Sequence, residues 1–200
     1  MNRREAVIKM AALMGAVTFG PRLLAGNFGT TSAAPAGFTA AQLALLDEIA
    51  DTILPPTAVP GAKAAGVGAF IAMMVQDCYE ADAQAAVRTG LARLDADYAA
   101  RHQGPFTTGR AADRTAFLTE LDREQRAHGA RLRKERLAAG LPENGGTPHY
   151  FRILKELTLL GYFTSEIGCN QALQYAEVPG RYEGDLPHRK GERAWAPSIK

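Results

Sequence analysis

The four histidines are the side chains of this sequence with the widest catalytic and metal-binding chemistry. They are His102, His128, His149 and His188. None is expected to have a Glu or His at the i+3 or i+4 spacing that a helical metal site uses. We therefore predict that each histidine lies at the surface or near a helix N-terminus, and that this chain provides no metal ligands.

Two cysteines, Cys78 and Cys169, lie far apart and belong to no CxxC or Cys/His cluster. This pattern excludes zinc, c-type haem and Fe–S clusters held by this chain alone. The apolar periodicity places Cys78 on the buried face of its helix. An even number of cysteines in an oxidising compartment allows a disulfide between Cys78 and Cys169, and two buried free thiols are the alternative.

Two carboxylates, Asp47 and Asp51, lie one helical turn apart and have the spacing for acid–base work. Neither has a partner base in the sequence, so a solvated helix face is the favoured interpretation. No GxGxxG, phosphate-binding loop or GxSxG motif is present. The sequence therefore predicts no catalytic and no cofactor-binding residues in this chain.

Length and charge restrict the class of protein further. The chain has 200 residues, 46% hydrophobic residues and a formal net charge of +2. The length fits one domain with an appendage. The excess of basic residues lies in the first part of the chain, which leaves a nearly neutral body. Such a body disfavours binding to nucleic acid or to a membrane surface.

The N-terminus has the pattern of an export signal. Arg3, Arg4 and Lys9 precede an apolar run at residues 10–19, which is shorter than the ~20 residues of a membrane-spanning helix. A charged start, a short apolar run and small residues afterwards are typical of a signal peptide. The paired arginines with the downstream lysine resemble the twin-arginine signal, which transports folded proteins. The sequence therefore predicts export to the periplasm.

The chain divides into a signal and linker, residues 1–37, and a helical domain, residues 38–200. Cleavage is expected after Ala25 or near Ala34. Thr39 and Gln42 have capping-box spacing and mark the start of the first helix, which the prolines at 55 and 56 end. Further helices are predicted at about 70–78, 81–100, 111–137 with a break at Gly129, and 150–174 with either an interruption or tight packing at Gly161 and Gly168. A surface tail extends from about residue 179.

No alternating β pattern of useful length occurs, so the predicted fold is all-α. We expect a compact bundle of about five to six helices with an N-terminal signal segment and an extended C-terminal tail. The last third is rich in aromatic residues. Because Tyr, Trp and Arg contribute most to protein interfaces, part of this region is a candidate partner surface. The candidate residues are Tyr162, Tyr175, Arg181, Tyr182 and Trp195.

Four segments resemble the gluconate 2-dehydrogenase subunit 3 family. They are residues 160–168 (LGYFTSEIG), 178–182 (VPGRY), 50–55 (ADTILP) and the N-terminal 2–6 (NRREA). The four segments occur in the same order as in that family and are spread along most of the chain. The resemblance implies the small, non-catalytic subunit of an FAD-dependent sugar or sugar-acid dehydrogenase.

The resemblance also implies partners and cofactors held outside this chain. The catalytic subunit would be a flavoprotein of the glucose–methanol–choline type that binds FAD, and a multihaem cytochrome c would accept the electrons on its haem c groups. The small subunit would stabilise the flavoprotein and escort it through the twin-arginine translocase, with association at the inner membrane through the complex. The alternative is a stand-alone exported helical enzyme or ligand-binding protein.

Overall fold

The computed structural model describes residues 37–176, 180, 184–185, 187 and 189–196, which belong to one unit of the chain. The predicted signal with Arg3, Arg4 and Lys9, and also Arg181, Tyr182 and His188, lie outside these residues. The described part contains five α-helices: α1 Ala40–Ile53, α2 Val67–Cys78, α3 Ala81–His102, α4 Ala111–Ala138 and α5 Tyr150–Phe163. It also contains a 3-10 turn, Phe106–Thr108, and a π-helix, Gly168–Ala172.

The described residues form no β-strand, so the all-α prediction is confirmed. Their nearest approach to a sheet is one isolated parallel bridge between Gln174 and Trp195. No described helix combines the length and the apolar character needed to span a bilayer.

α1 begins where the capping box predicts. The Thr39 hydroxyl accepts the Gln42 amide at 3.2 Å, and the Gln42 side chain accepts the Thr39 amide at 2.9 Å. These bonds satisfy donors that a helix N-terminus otherwise leaves unpaired. Phe38, just before the cap, is buried, and the Arg88 guanidinium lies 5.5 Å from the centre of its ring. The chain therefore enters the domain at an anchored aromatic residue.

The carboxylates of α1 hold the loop that leads into α2. Asp51 accepts the Lys63 backbone amide at 3.2 Å, and Asp47 accepts the Gly68 amide in the first turn of α2. Burial raises the pKa of Asp47, although the Gly68 hydrogen bond opposes that rise. The solvated-face interpretation of this pair is therefore wrong, because both carboxylates cap backbone donors.

α5 is the central helix and packs against α1, α2, α3 and α4. Its buried side chains include Ile153, Leu154 and Leu157. Glycines admit two aromatic rings to this core. A Cβ on Gly90 of α3 would lie 2.2 Å from the Tyr150 ring. A Cβ on Gly161 would lie 2.5 Å from the Phe70 ring of α2.

The predicted break at Gly129 is wrong, whereas tight packing, one of the two alternatives predicted for Gly161 and Gly168, is confirmed at both glycines. α4 runs without interruption through Gly129, and α5 runs without interruption through Gly161. The last helical segment breaks after Phe163 instead. There the Ser165 hydroxyl donates to Tyr162 O at 2.7 Å and accepts the Gly168 amide at 3.0 Å. Gly168 therefore starts the π-helix and does not interrupt α5.

Candidate functional site

The C-terminal tail returns to the body beside Gln174. The Gln174 backbone donates to Ala194 O and accepts from the Ala196 amide, both at 2.8 Å, and its side-chain amide donates to Arg193 O at 2.6 Å. Tyr175 and Trp195 therefore flank one junction, although 20 positions separate them in the sequence. Their exposed fractions are 55% and 54%.

The predicted interface residues divide into three groups. Tyr175 and Trp195 are exposed and brought together at the junction. Tyr162 is buried, and its hydroxyl donates to Pro60 O at 2.8 Å. It belongs to the core, so its assignment to an exposed partner surface is corrected. Burial raises the pKa of the Tyr162 hydroxyl. Arg181 and Tyr182 lie outside the described residues.

Two further exposed apolar side chains, both leucines, are not among the residues predicted from the sequence. Leu159 and Leu160 lie near the end of α5 and are both exposed, although Leu160 opens the LGYFTSEIG segment. The π-helix that follows packs against α5 and leads directly to the junction at Gln174. We call Leu159, Leu160, Tyr175 and Trp195 the C-terminal surface. Exposed large apolar side chains of this kind are candidates for contact with a partner.

A groove of about 840 Å³ lies between the second half of α4 and α5. Its wall includes both the loop at residues 143–148 and Tyr79, which follows α2. Basic side chains line it, and each has an acidic partner. The pairs are Lys155–Asp122 at 2.6 Å, Arg126–Asp122 at 2.8 Å, Arg152–Glu156 at 2.7 Å, and Arg133–Glu143. Because these charges are compensated, the groove does not form a concentrated anion site.

Two histidines, His128 and His149, line the same groove with ring centres 5.7 Å apart. His149 is the N-cap of α5 and its Nδ1 accepts the Phe151 amide at 3.3 Å, which confirms the predicted position near a helix N-terminus. His149 Nε2 lies 3.6 Å from Glu124 Oε1. Glu124 also lies four residues before His128 on α4, so the prediction that no histidine has a Glu at helical metal-site spacing is wrong.

This arrangement does not suit a metal ion. A neutral imidazole has one acceptor nitrogen, and the Phe151 amide occupies Nδ1, so the proton of His149 resides on Nε2. No group of three or more His, Cys, Asp or Glu residues in the described part of the chain is placed to hold a metal. His102, the last residue of α3, stacks on Tyr98 with ring centres 4.4 Å apart.

The cysteines are both free thiols in the structure. Cys78 is exposed, and its sulfur lies 3.9 Å from Met74 Sδ. The Cys169 thiol is partly buried and donates to Phe163 O at 3.2 Å. The disulfide considered from the sequence is therefore not part of this structure. The predicted burial of Cys78 is wrong, because this residue ends α2 and is exposed.

Comparison with known families gives a match to one description, gluconate 2-dehydrogenase subunit 3, over residues 40–180. The matched region starts at the first residue of α1 and includes every helix described above. Comparison with curated proteins and with solved structures gave no match. Since the match covers well over half of the chain, the chain belongs to the gluconate 2-dehydrogenase subunit 3 family.

Proposed function

We propose that this chain is the non-catalytic small subunit of a periplasmic FAD-dependent dehydrogenase complex. The observation that carries the proposal is the family match over residues 40–180, which includes the whole helical body. In the proposed division of labour, the flavoprotein subunit binds FAD and oxidises the sugar or sugar acid. A cytochrome subunit with haem c accepts the electrons, and the small subunit provides contact surface and an export signal.

The C-terminal surface is the proposed contact with the flavoprotein. Its four side chains, Leu159, Leu160, Tyr175 and Trp195, combine aromatic and aliphatic groups that are exposed in the free chain. Burial of such groups in an interface releases water from apolar area and is the main source of binding free energy. The hydrogen-bonded junction at Gln174 holds the two aromatic residues in place, so little conformational entropy is lost on binding.

Export is the second proposed role. Arg3 and Arg4 would engage the twin-arginine translocase while the helical body holds the folded flavoprotein in the cytoplasm. The complex would then cross the inner membrane as one unit and remain associated with that membrane through its other subunits. The order of events follows from the pathway, which accepts folded cargo, so that flavin insertion precedes transport.

The experiment that tests this role replaces Arg3 and Arg4 together with lysine. We expect the flavoprotein to keep its dye-coupled dehydrogenase activity and to accumulate in the cytoplasmic fraction. Arg22→Lys, in the same segment but outside the pair, is the matched control and should leave export unchanged. Flavoprotein that still reaches the periplasm in the double variant would contradict the escort role.

The groove between α4 and α5 favours a second candidate function, an exported helical protein that binds a small ligand. Its volume of about 840 Å³ falls within the range of small-molecule sites. The candidates differ in assembly. A purified chain that stays monomeric in the presence of the flavoprotein and gains thermal stability from a small molecule would favour ligand binding. Co-purification with the flavoprotein would favour the accessory subunit.

A further inference from the structure

His149 lies where α5 begins and contacts α4 across the groove. Its Nδ1 accepts the Phe151 amide at 3.3 Å, and its Nε2 lies 3.6 Å from Glu124 Oε1 on α4. The side chain is only 12% exposed. Because Nδ1 acts as an acceptor, the helix cap requires the neutral ring with its proton on Nε2.

Protonation of this ring would remove the cap. A protonated Nδ1 is a donor and would face the Phe151 amide, which is also a donor, so the first turn of α5 would lose its side-chain acceptor. A positive charge at a helix N-terminus is also unfavourable, because the helix dipole places partial positive charge there. A fall in pH therefore disrupts the cap by protonating the acceptor atom itself.

The charges that face His149 come from two helices, α3 and α4. His128 on α4 and Arg93 on α3 oppose a positive charge on the ring, whereas Glu124 on α4 favours it. Burial is the largest influence and lowers the pKa of His149, and the attraction of Glu124 does not overcome it. On α5 itself, burial raises the pKa of the neighbouring Tyr150 to about 12, so its hydroxyl stays neutral.

Two contacts that do not involve the His149 ring keep the N-terminal end of α5 in place at mildly acidic pH. Tyr150 packs over Gly90 of α3, and the Thr147 hydroxyl donates to Asp82 at 2.5 Å. Loss of the cap therefore loosens only the first turn of α5 and the adjoining groove wall. We propose that His149 is an acid-sensitive latch on the first turn of α5, and that its protonation frees the Phe151 amide and loosens this turn at the wall of the groove.

The test is amide hydrogen exchange on the full 200-residue chain at pH 7.5 and pH 5.0, corrected for intrinsic rates. We expect the protection factors of the Phe151 and Arg152 amides to fall about fivefold at the lower pH, the value of one lost helix cap. His149→Asn keeps a side-chain acceptor that does not titrate, so its protection factors should be equal at the two pH values. His128→Gln should retain the pH dependence of the wild type.

Two results would overturn the latch. One is an equal acid-induced loss of protection in His149→Asn, which would place the titrating group elsewhere. The other is an NMR titration in which the His149 ring protonates at or above pH 6.5, because protonation would then not destabilise the folded first turn of α5. The amides of α1 provide the internal control, since their protection should change at neither pH if the fold stays intact.

Discussion

Glu48 on α1 and Arg114 on α4 form an ion pair between residues 66 positions apart in the sequence. Each side chain is only 16% exposed. Lys63, in the loop before α2, joins the same carboxylate at 2.5 Å. One carboxylate therefore links α1, α4 and the α1–α2 loop.

Removal of the Glu48 carboxylate should destabilise the domain. Glu48→Ala leaves the Arg114 guanidinium partly buried without its counter-charge, and we expect a loss of about 2–3 kcal/mol in the free energy of unfolding. Lys63→Ala is the control, because Lys63 is 53% exposed and its pair should contribute below about 1 kcal/mol. Urea unfolding followed by circular dichroism measures both values. Equal losses would contradict the dominant role of Arg114.

The same carboxylate should make stability depend on pH. Burial opposes the ionisation of Glu48, but hydrogen bonds from Lys63 and Arg114 outweigh it and lower the pKa of Glu48 below its ordinary 4.5. The native state then binds fewer protons than the unfolded state, so this stabilisation is complete above pH 4.5 and is lost as the pH falls through the native pKa. The stability difference between wild type and Glu48→Gln should shrink from pH 6 to pH 3.5. A constant difference would contradict this assignment.

Glycines in two helices should respond in opposite directions to alanine. Gly90→Ala places a methyl group into the Tyr150 ring, with only 2.2 Å available, and should cost about 1–3 kcal/mol of stability. Gly129→Ala meets nothing within 4 Å and should stabilise α4 by up to about 1 kcal/mol. Thermal unfolding of both variants measures the difference. A neutral Gly90→Ala variant would show that Tyr150 moves aside without cost.

The C-terminal surface should be required for binding of the flavoprotein. Leu160→Asp places a charge on this surface, and we expect the Kd for the flavoprotein to rise by about tenfold or more. Leu137→Asp is the matched control, since Leu137 is a leucine of similar exposure at the end of α4. Both variants should fold like the wild type. Stronger loss of binding in Leu137→Asp would place the interface on α4.

Both cysteines should be free in the purified protein. We expect Cys78 to react with a maleimide faster than Cys169, because Cys78 is exposed whereas Cys169 is partly buried and donates its thiol proton to Phe163 O. Intact mass spectrometry after labelling under denaturing, non-reducing conditions should show two added groups. A mass with no added group would indicate that the two thiols are oxidised.

Local features of the chain could be predicted because each depends on residues close in sequence. Thr39 and Gln42 were recognised as a capping box from three-residue spacing, and the all-α class followed from apolar periodicity. The break at Gly129 is predicted wrongly for the same reason, and at Gly161 the local sequence leaves both an interruption and tight packing open. Helix propensity disfavours glycine. At Gly161, however, the Phe70 ring of another helix packs so closely that a larger side chain would collide with it.

The sequence by itself determined the helical class, the family motifs and the absence of any familiar catalytic motif, since these are properties of short segments. Only the tertiary structure decided which side chains are available to a partner. It buried Tyr162 against Pro60, exposed Leu160, and brought Trp195 beside Gln174. It also joined His149 to Glu124 across two helices. Exposure and pairing of this kind depend on how helices pack around α5, which no local pattern of residues encodes.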